Sequence, residues 1–477
     1  MKVAFLQETV NQNFGLMYLS AVAKQRGHEC ELFIEPQEKD FSSAVARFNP
    51  DVVGISVITG SHHWALDAAG EVKQRLPGVR VILGGPHPTY FPEIIEQRCV
   101  DAVARGEAEI SFPAYLHALE HGGDLRDIPG IWVLDDGRIN RTEVAPLVDD
   151  LSTLPRADRQ LYLKYEFFRR HTEVPFITTR GCPYNCSFCY NHVKAQLYRG
   201  KGKYLRTRPV DDIIAEMEDT LKLFPAHRSV ILADDIIGLD KKWLEEFSEK
   251  YAGRVGLPWF TSIRADVVDE FVADRLARAK CFCLSLGLET GDEELRTRVL
   301  GKRMTDEQYI RAVRLLKDAG IKVRTSNMLF LPGEDIGKAL KTVDMNRLMQ
   351  VDFAWAYTMQ PYPGTDIYDY ALKSGYLSEA FQFDDIDPLG LLRPIVKLKD
   401  ERKILVVHRF FLLAVKSRLM RKLLNVFLLF PPNALYDAFY SFSLILSYAE
   451  YHEVGFWRAF RVAWNNFWST RRTNRRR

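Results

Sequence analysis

The chain has 477 residues, which is long enough for two or three domains of ordinary size. Hydrophobic residues make up 47% and charged residues 27%, a balance that excludes a disordered or fibrous protein. The net charge of +3 hides an asymmetry, because residues 401–477 carry 14 Lys and Arg against 4 Asp and Glu, so the remainder is acidic.

Cysteine usage and the apolar runs predict the compartment. The seven cysteines are an odd, unevenly spaced set, which makes a poor disulfide framework. Residues 1–9 hold too short an apolar run for a signal peptide, and no run reaches the roughly 18–20 residues of a spanning helix. We therefore expect a cytoplasmic protein, with contact to the inner face of a membrane left open.

Residues 1–125 alternate short strand patterns with helical patterns. Strands are predicted at residues 3–6, 30–34, 52–58, 79–83 and 102–104, and helices at 15–26, 41–48, 63–76 and 91–97. This alternation predicts a flavodoxin-like (Rossmann-type) α/β domain, whose ligands lie at the carboxyl ends of the strands. Loops 7–14, 59–62 and 84–87 occupy those ends. Residues 126–175 contain Pro129, Pro146 and Pro155 and are predicted to be an irregular linker.

A second alternation runs through residues 176–393. Strands are predicted at residues 176–179, 229–233, 259–262, 283–287, 323–330 and 353–359, and helices at 210–223, 242–251, 269–279, 306–319 and 336–348. Six βα units predict a TIM-type (β/α)6 barrel, partial or complete, with its chemistry at the carboxyl ends of the strands. Residues 394–477 are predicted to form a mainly α-helical domain that is basic and aromatic.

Three cysteines lie in the first carboxyl-end loop of the predicted barrel, as Cys182-x3-Cys186-x2-Cys189. Three thiolates hold three irons of a [4Fe-4S] cluster and leave the fourth iron open to a small molecule. Phe188 can shield the cluster edge. The alternative is a zinc site completed by His192, since Cys3His is a known zinc ligand set. The position at the mouth of a barrel favours the cluster.

Residues 180–189, Arg-Gly-Cys-Pro-Tyr-Asn-Cys-Ser-Phe-Cys, resemble the CxxxCxΦC signature of radical S-adenosylmethionine (SAM) enzymes. The resemblance implies a cluster that reduces SAM to a 5′-deoxyadenosyl radical, with the amino and carboxylate groups of SAM on the open iron. It also implies that Asp234 and Asp235 lie near the SAM amino group and that Glu289 accepts hydrogen bonds from the ribose hydroxyls. Taken alone, Glu289 is better explained as a surface cap, but its place in the motif order behind the cysteine triplet favours the ribose contact.

Two further motifs extend this resemblance along the barrel. Residues 331–334, Leu-Pro-Gly-Glu, resemble a motif that packs near the adenine, and Pro361-x-Pro363-Gly364-Thr365 follows the sixth predicted strand. Each is also explained as an ordinary turn. Cys281 and Cys283 lack the neighbours that a second cluster needs, so we expect buried free thiols.

Residues 1–125 resemble the cobalamin-binding domain of one radical SAM subclass. Ser56-Val57-Ile58 and Gly84-Gly85 take the places of the Ser-x-Leu and Gly-Gly signatures, although an ordinary βα turn also explains two glycines. Because no histidine precedes His28, the resemblance implies cobalamin without a histidine lower ligand.

The loop after the first strand offers only weak or water-mediated partners for cobalt, namely Glu8, Asn11, Gln12 and Asn13. His62, His63 and His87 lie on other carboxyl-end loops. Hydrogen bonding within those loops is favoured for them over contact with the ring or substrate.

The basic, aromatic end allows three interpretations. Trp457, Trp464 and Trp468 share one helical face, which with the neighbouring arginines is typical of a helix on anionic lipid. A helical cap or substrate lid on the barrel is nearly as well supported, and nucleic-acid binding is disfavoured because no such fold accompanies the arginines.

The resemblance implies an enzyme that functionalises an unactivated carbon, with C-methylation by methylcobalamin expected first, in a secondary-metabolite, lipid or tetrapyrrole pathway. The expected partners are a small, apolar or lipid-like substrate and a reductant such as flavodoxin or ferredoxin. The alternatives are a cyclase or oxidoreductase without methyl transfer, similar to the Mg-protoporphyrin monomethyl ester cyclases or hopanoid-pathway enzymes, and a non-catalytic cobalamin or cluster sensor.

Overall fold

A computed structural model describes residues 1–135, 137–386, 394–451, 457 and 460. The predicted aromatic face beyond Phe460, with Trp464, Trp468 and the terminal arginines, lies outside the described residues. The fold class predicted from the sequence is confirmed: a flavodoxin-like domain precedes a partial barrel, and helices follow.

The first sheet contains seven strands. They are β1 (Lys2–Gln7), β2 (Glu29–Ile34), β3 (Val52–Ser56), β4 (Arg80–Gly84), β5 (Ala102–Ala104), β6 (Ile131–Asp135) and β7 (Arg138–Asn140). The helices around them are α1 (Phe14–Lys24), α2 (Phe41–Phe48), α3 (His62–Arg75), α4 (Pro86–Tyr90) and α5 (Ser111–His121). The order β2-β1-β3-β4-β5-β6-β7 begins with five parallel strands of flavodoxin type, and each face of the sheet covers an apolar core.

Three local predictions in this region are wrong. Within residues 126–175, β6 and β7 form an antiparallel hairpin that extends the sheet. The Asp-Gly pair at residues 136–137 is a hairpin signal that the prolines obscured. The predicted loop at Gly84–His87 opens helix α4, and the helix predicted at 91–97 is the 3₁₀ turn Pro92–Glu96, because Pro86 and Pro92 start separate turns.

The second domain begins after α6 (Glu166–Arg170) and contains six parallel strands in one sheet. These are β8 (Glu173–Phe176), β11 (Ser229–Leu232), β12 (Trp259–Ile263), β13 (Cys281–Glu289), β14 (Lys322–Leu329) and β15 (Phe353–Thr358), and a separate antiparallel pair is formed by β9 (Thr179–Arg180) and β10 (Arg206–Thr207). The order β15-β14-β13-β12-β11-β8 is open, so the barrel is partial. The predicted strand 176–179 therefore divides between β8 and β9.

Helices cover the outside of this sheet. They are α7 (Tyr190–Leu197), α8 (Val210–Leu223), α9 (Lys241–Arg254), α10 (Glu270–Arg278), α11 (Glu293–Arg298), α12 (Asp306–Asp318), α13 (Ile336–Leu348) and α14 (Asp366–Lys373). The apolar faces of α8 to α14 and the strands they cover contribute to the largest core of the described chain, whereas Leu197 of α7 packs in a small separate cluster. Cys281 and Cys283 are buried free thiols at the start of β13, at the end of the barrel opposite the cysteine triplet.

Three helices follow, namely α15 (Glu401–Lys416), α16 (Arg418–Phe427) and α17 (Ala434–Tyr451). Helix α15 is almost entirely buried and lies along the edge strand β15. The helix therefore covers this edge of the open sheet. The Tyr451 ring packs on Phe353 and Phe260 at the amino ends of the strands. The described end of α17 therefore caps the bottom of the barrel and does not form a lid over the cysteine loop.

Within the described ranges, none of the helices combines the length and the apolar character that crossing a bilayer requires.

Candidate functional site

The cysteine loop joins β9 to α7 at the carboxyl end of the barrel. The Cys189 amide donates to the Cys186 carbonyl at 3.1 Å, and the Cys189 sulfur caps α7 by accepting from the Asn191 amide at 3.4 Å. Ser187 anchors the loop from outside, because its amide and hydroxyl donate to the carbonyls of Leu300 and Val299 at 3.0 and 2.6 Å. Phe188 packs against the barrel core.

The three thiols form one electrostatic group. Burial raises the pKa of Cys189 to about 11 and also raises the pKa of Cys182, and the neighbouring thiols add to both shifts. Iron binding at this loop must therefore displace protons from the thiols. Cysteine sulfurs are the usual ligands of iron–sulfur clusters, and three of them on one short loop suit a [4Fe-4S] cluster with one open iron.

Arg264, which follows β12, places a positive charge beside the cysteine loop, and the sequence analysis did not select it. Its Nη1 lies 3.6 Å from the Cys186 sulfur, its guanidinium lies 3.5 Å from the centre of the Tyr184 ring, and it pairs with Asp266 at 2.9 Å. Arg264 directly follows β12, so the expectation that the chemistry lies at the carboxyl ends of the strands could have found it.

The zinc alternative does not gain its fourth ligand. His192 is buried with its Nε2 3.5 Å from Asp366, on the side of α7 that faces α14. In the described part of the chain, no group of three or more His, Cys, Asp or Glu side chains is arranged to hold a single metal ion.

Asp234 and Asp235 have different surroundings. The Asp234 carboxylate accepts from the amides of Thr178 and Thr179 at 2.6 and 2.8 Å, and burial raises its pKa to about 6. Asp234 therefore holds the segment that leads into the cysteine loop. Asp235 accepts from the Gly181 amide at 3.2 Å and lines a cavity, so it is the member of the pair that faces a ligand space.

Glu289 lies at the end of β13 with a left-handed backbone, at φ 67°. Its Oε1 accepts from Lys302 at 2.8 Å, and both side chains are buried. Lys302, which the sequence analysis did not select, has a raised pKa because the opposing effect of burial is exceeded by Glu289. Oε2 has no hydrogen bond to the described residues, so one oxygen of Glu289 remains available to a ligand.

Glu334 in the Leu-Pro-Gly-Glu motif is a buried carboxyl group. Its Oε2 accepts from the amides of Phe330 and Leu331 at 2.5 and 3.2 Å, whereas Oε1 is buried without a hydrogen bond in the described part of the chain. Burial raises the pKa of Glu334 to about 8. Burial in the folded protein therefore favours the neutral form of this group.

This raised pKa makes a stability prediction. In the unfolded chain the Glu334 carboxyl ionises at its ordinary pKa, so its contribution to folding is complete at low pH and is lost as the pH rises through about 8. Between about pH 5 and about pH 8.5, wild type should lose about 2 to 4 kcal/mol more stability than Glu334→Gln. Urea unfolding at both pH values measures the difference, and parallel pH profiles would contradict it.

A cavity of about 300 Å³ connects the two α/β domains. At the first sheet it is bordered by small residues, among them Ser56, Gly84 and Gly85, and by Phe112 of α5. At the barrel it reaches Asp235 beside the cysteine loop. A slot of this volume between a flavodoxin-like sheet and its helices fits the extended tail of a cofactor, whose larger part would lie outside the carboxyl edge of the sheet.

The two glycines at this edge differ in tolerance. Gly85 has φ +94°, and a Cβ there would lie 2.9 Å from the Val57 nitrogen and 3.0 Å from the Ser56 hydroxyl oxygen, whereas a Cβ at Gly84 would find its nearest atoms at 3.7 Å. We expect Gly85→Ala to cost about 2 kcal/mol of unfolding free energy and Gly84→Ala less than about 1 kcal/mol. Urea unfolding of the cofactor-free protein measures both, and equal costs would refute the assignment.

Glu107 joins the two domains, and no motif pointed to it. This carboxylate follows β5 and binds three cations of the barrel, namely Arg180 at 2.9 Å, Arg206 at 2.7 Å and Lys194 at 3.1 Å. Although burial raises its pKa, the cations hold that pKa well below the usual range. Arg180 directly precedes Gly181-Cys182, so Glu107 connects the edge of the first sheet to the cysteine loop.

The carboxyl-end histidines and amides bond mainly within the protein. The rings of His62 and His87 stack at 4.6 Å, and the Nδ1 atom of His87 lies 3.1 Å from the Thr59 hydroxyl. Burial lowers the pKa of His87 to about 4. In the first loop, Asn13 caps α1 and Gln12 accepts from Arg159. The interpretation of His87 as a loop-bonding histidine agrees with this geometry.

Comparison with known proteins agrees with this arrangement. The B12 binding domain model matches residues 8–116, and the Radical SAM superfamily model matches residues 176–345. An uncharacterized methyltransferase of Pyrococcus horikoshii is 28% identical over 81% of this chain and 84% of its own length. An anaerobic magnesium-protoporphyrin IX monomethyl ester cyclase of Rubrivivax gelatinosus is 28% identical over 80% of this chain and 69% of its own.

Two solved structures share the fold. The radical SAM methyltransferase TsrM of Kitasatospora setae, with cobalamin and a [4Fe-4S] cluster bound, superposes with a TM-score of 0.68 at 20% identity, over 83% of this chain and 82% of its own. The cobalamin-dependent SAM radical enzyme OxsB, with aqua-cobalamin and SAM bound, gives 0.72 at 16% identity, over 94% and 72%. The family models give this chain a B12-binding domain followed by a radical SAM domain, so it belongs to the radical SAM enzymes that carry a B12-binding domain.

Proposed function

We propose that this enzyme is a cobalamin-dependent radical SAM methyltransferase that adds a methyl group to an unactivated carbon of a small, apolar substrate of lipid or tetrapyrrole type. The observation that carries the proposal is the cavity that runs from Ser56, Gly84 and Gly85 to Asp235. A single space between a B12-binding edge and a cysteine loop suits a reaction that needs both cofactors.

The residues have distinct roles in this proposal. Cys182, Cys186 and Cys189 hold the cluster, Asp235 contacts the SAM amino group, and the free oxygen of Glu289 accepts from the ribose. When bound, the cluster would supply the electron that cleaves SAM, and cobalamin would supply a methyl group for transfer to carbon. Asp234 and Ser187 fix the loop, while the barrel wall excludes water from the reacting radicals.

A second candidate is oxidation or ring formation without methyl transfer. It is favoured by the similarity to the magnesium-protoporphyrin IX monomethyl ester cyclase, which is as high in identity as that to the methyltransferase. Both candidates need an electron from outside the chain, and we propose a flavodoxin or ferredoxin as the donor.

Anaerobic reconstitution with iron, sulfide, cobalamin and SAM tests the proposal. Release of 5′-deoxyadenosine under a strong reductant is expected, and its absence would refute radical chemistry. Labelled methyl from SAM should appear on cobalamin and then on product. Deoxyadenosine without transfer of label would favour the cyclase or oxidoreductase.

We also propose that residues 401–477 bring the enzyme to a membrane surface. The basic excess of this segment and its exposed apolar side chains support the contact. Such a contact would give the enzyme access to an apolar, membrane-resident substrate.

A further inference from the structure

Helix α17 exposes its more apolar face. Leu435, Phe439, Phe442 and Leu446 recur at spacings of four, three and four, and are 62%, 42%, 47% and 39% exposed. This spacing places them on one side of the helix. The face turned to the protein carries tyrosines and serines instead, as Tyr436, Tyr440, Ser443 and Ser447. A helix that only capped the barrel would have the opposite distribution.

The apolar surface continues onto the preceding segment. Leu419 and Val426 of α16 are 65% and 48% exposed, and Leu429 and Phe430 in the following turn are 79% and 55% exposed. We call these four residues and the four of α17 the outer face. A group of eight large apolar side chains exposed on two successive helices and the turn between them is typical of an interaction surface.

The charges beside the outer face are positive. Arg418 and Lys422 are exposed on α16, and neither has an ion pair within the described residues. The acidic groups of α17 are neutralised, since Asp437 pairs with Arg409 at 2.6 Å and Glu450 pairs with Lys416. The sequence beyond Phe460 adds further arginines.

We propose that the outer face lies on an anionic lipid bilayer surface. Apolar side chains would enter the interfacial region while Arg418 and Lys422 meet the headgroups. A second copy fits less well, because a two-fold contact through this face would bring the same unpaired cations together. The inference rests on the membrane contact proposed above and assigns the surface that makes it, and it does not depend on the reaction chemistry.

Vesicle flotation of the full-length chain tests the inference, with phosphatidylcholine vesicles with and without phosphatidylglycerol. Wild type should float with the anionic vesicles, and high salt should weaken binding. The variant Leu435→Ser/Phe439→Ser/Phe442→Ser/Leu446→Ser should lower partitioning about tenfold or more. Arg418→Glu/Lys422→Glu should weaken binding to anionic vesicles selectively. Ile310→Ser/Leu348→Ser, which changes exposed apolar residues on α12 and α13, is the matched control and should float as wild type does.

Three outcomes would overturn the assignment. The first is flotation that the serine variant leaves unchanged, and the second is no flotation of wild type at all. The third is a concentration-dependent dimer of wild type that the serine variant abolishes without any vesicle binding, which would make a second copy the occupant. Thermal unfolding checks that the variants are folded. Production of 5′-deoxyadenosine is followed in parallel, so that failure of the reaction and failure of lipid binding are read separately.

Discussion

Replacing Cys186 by alanine is expected to abolish both cluster binding and the formation of 5′-deoxyadenosine. A [4Fe-4S] cluster on this loop has three protein ligands, and losing one leaves two irons without a protein sulfur. Cys186 is the best position for the test, because Cys189 also caps α7 through its sulfur. Among the described residues, the Cys186 sulfur instead receives only a long contact from Arg264, at 3.6 Å. Its loss therefore removes a ligand with little direct structural cost.

The measurement is iron and sulfide content per chain after anaerobic reconstitution, together with product analysis. Cys99→Ser is the matched control, because Cys99 is a partly buried thiol that hydrogen-bonds the Leu66 carbonyl in the first domain. The control should keep the iron content of wild type. A Cys186→Ala protein that retained a full cluster and cleaved SAM would refute the assignment of the cysteine loop as the cluster-binding site.

The fold could be predicted from the sequence because its signal is local. Each βα unit carries its own periodicity and stop signals, and the helices predicted at 41–48, 210–223 and 336–348 have those bounds in the structure. The cysteine triplet is equally local. The hairpin of β6 and β7 was missed because its short strands lie between prolines in a segment whose composition is that of a loop.

What periodicity could not reveal is pairing between distant residues. Glu107 meets Arg180 across 73 positions and Arg206 across 99, and nothing in either neighbourhood indicates the other. The same limit applies to Asp234 and Asp235. The two residues are adjacent and chemically identical in the sequence, and only the folded structure distinguishes them. Asp234 accepts from Thr178 and Thr179, whereas Asp235 lines the cavity. The specific roles of these residues toward SAM remain predictions.

The C-terminal segment illustrates a different limit. Its composition allowed a lipid-facing helix, a cap and a nucleic-acid surface. The structure packs α15 against the barrel edge and the end of α17 against the amino ends of the strands, while the side chains of the outer face are exposed. Composition averages over both surfaces, and only the three-dimensional packing separates them.

Glu107→Gln is expected to weaken both the fold and the cofactor site. The substitution removes the negative charge that binds Arg180, Lys194 and Arg206, of which Arg206 is 1% exposed. Arg180 keeps a second carboxylate partner, Glu109 at 2.7 Å. Breaking a buried ion pair by removing one partner costs about 3 to 5 kcal/mol, and the hydrogen bonds that glutamine retains place this variant near the lower value. Because Glu107 also lines the cavity and Arg180 leads into the cysteine loop, cobalamin affinity and iron retention should fall as well.

Glu216→Gln separates these effects. Glu216 is a buried carboxylate that bridges Arg159 at 3.3 Å and Arg208 at 2.5 Å, and it contacts neither the cavity nor the cysteine loop. Both variants should lower the urea midpoint by similar amounts, but only Glu107→Gln should lower cobalamin affinity. Cobalamin affinity is measured by titrating the folded protein near neutral pH without denaturant. If the two variants bound cobalamin and iron equally well, Glu107 would be a structural link between the domains with no influence on the site. Different binding at matched stability would instead identify it as the residue through which the edge of the first sheet positions the cysteine loop.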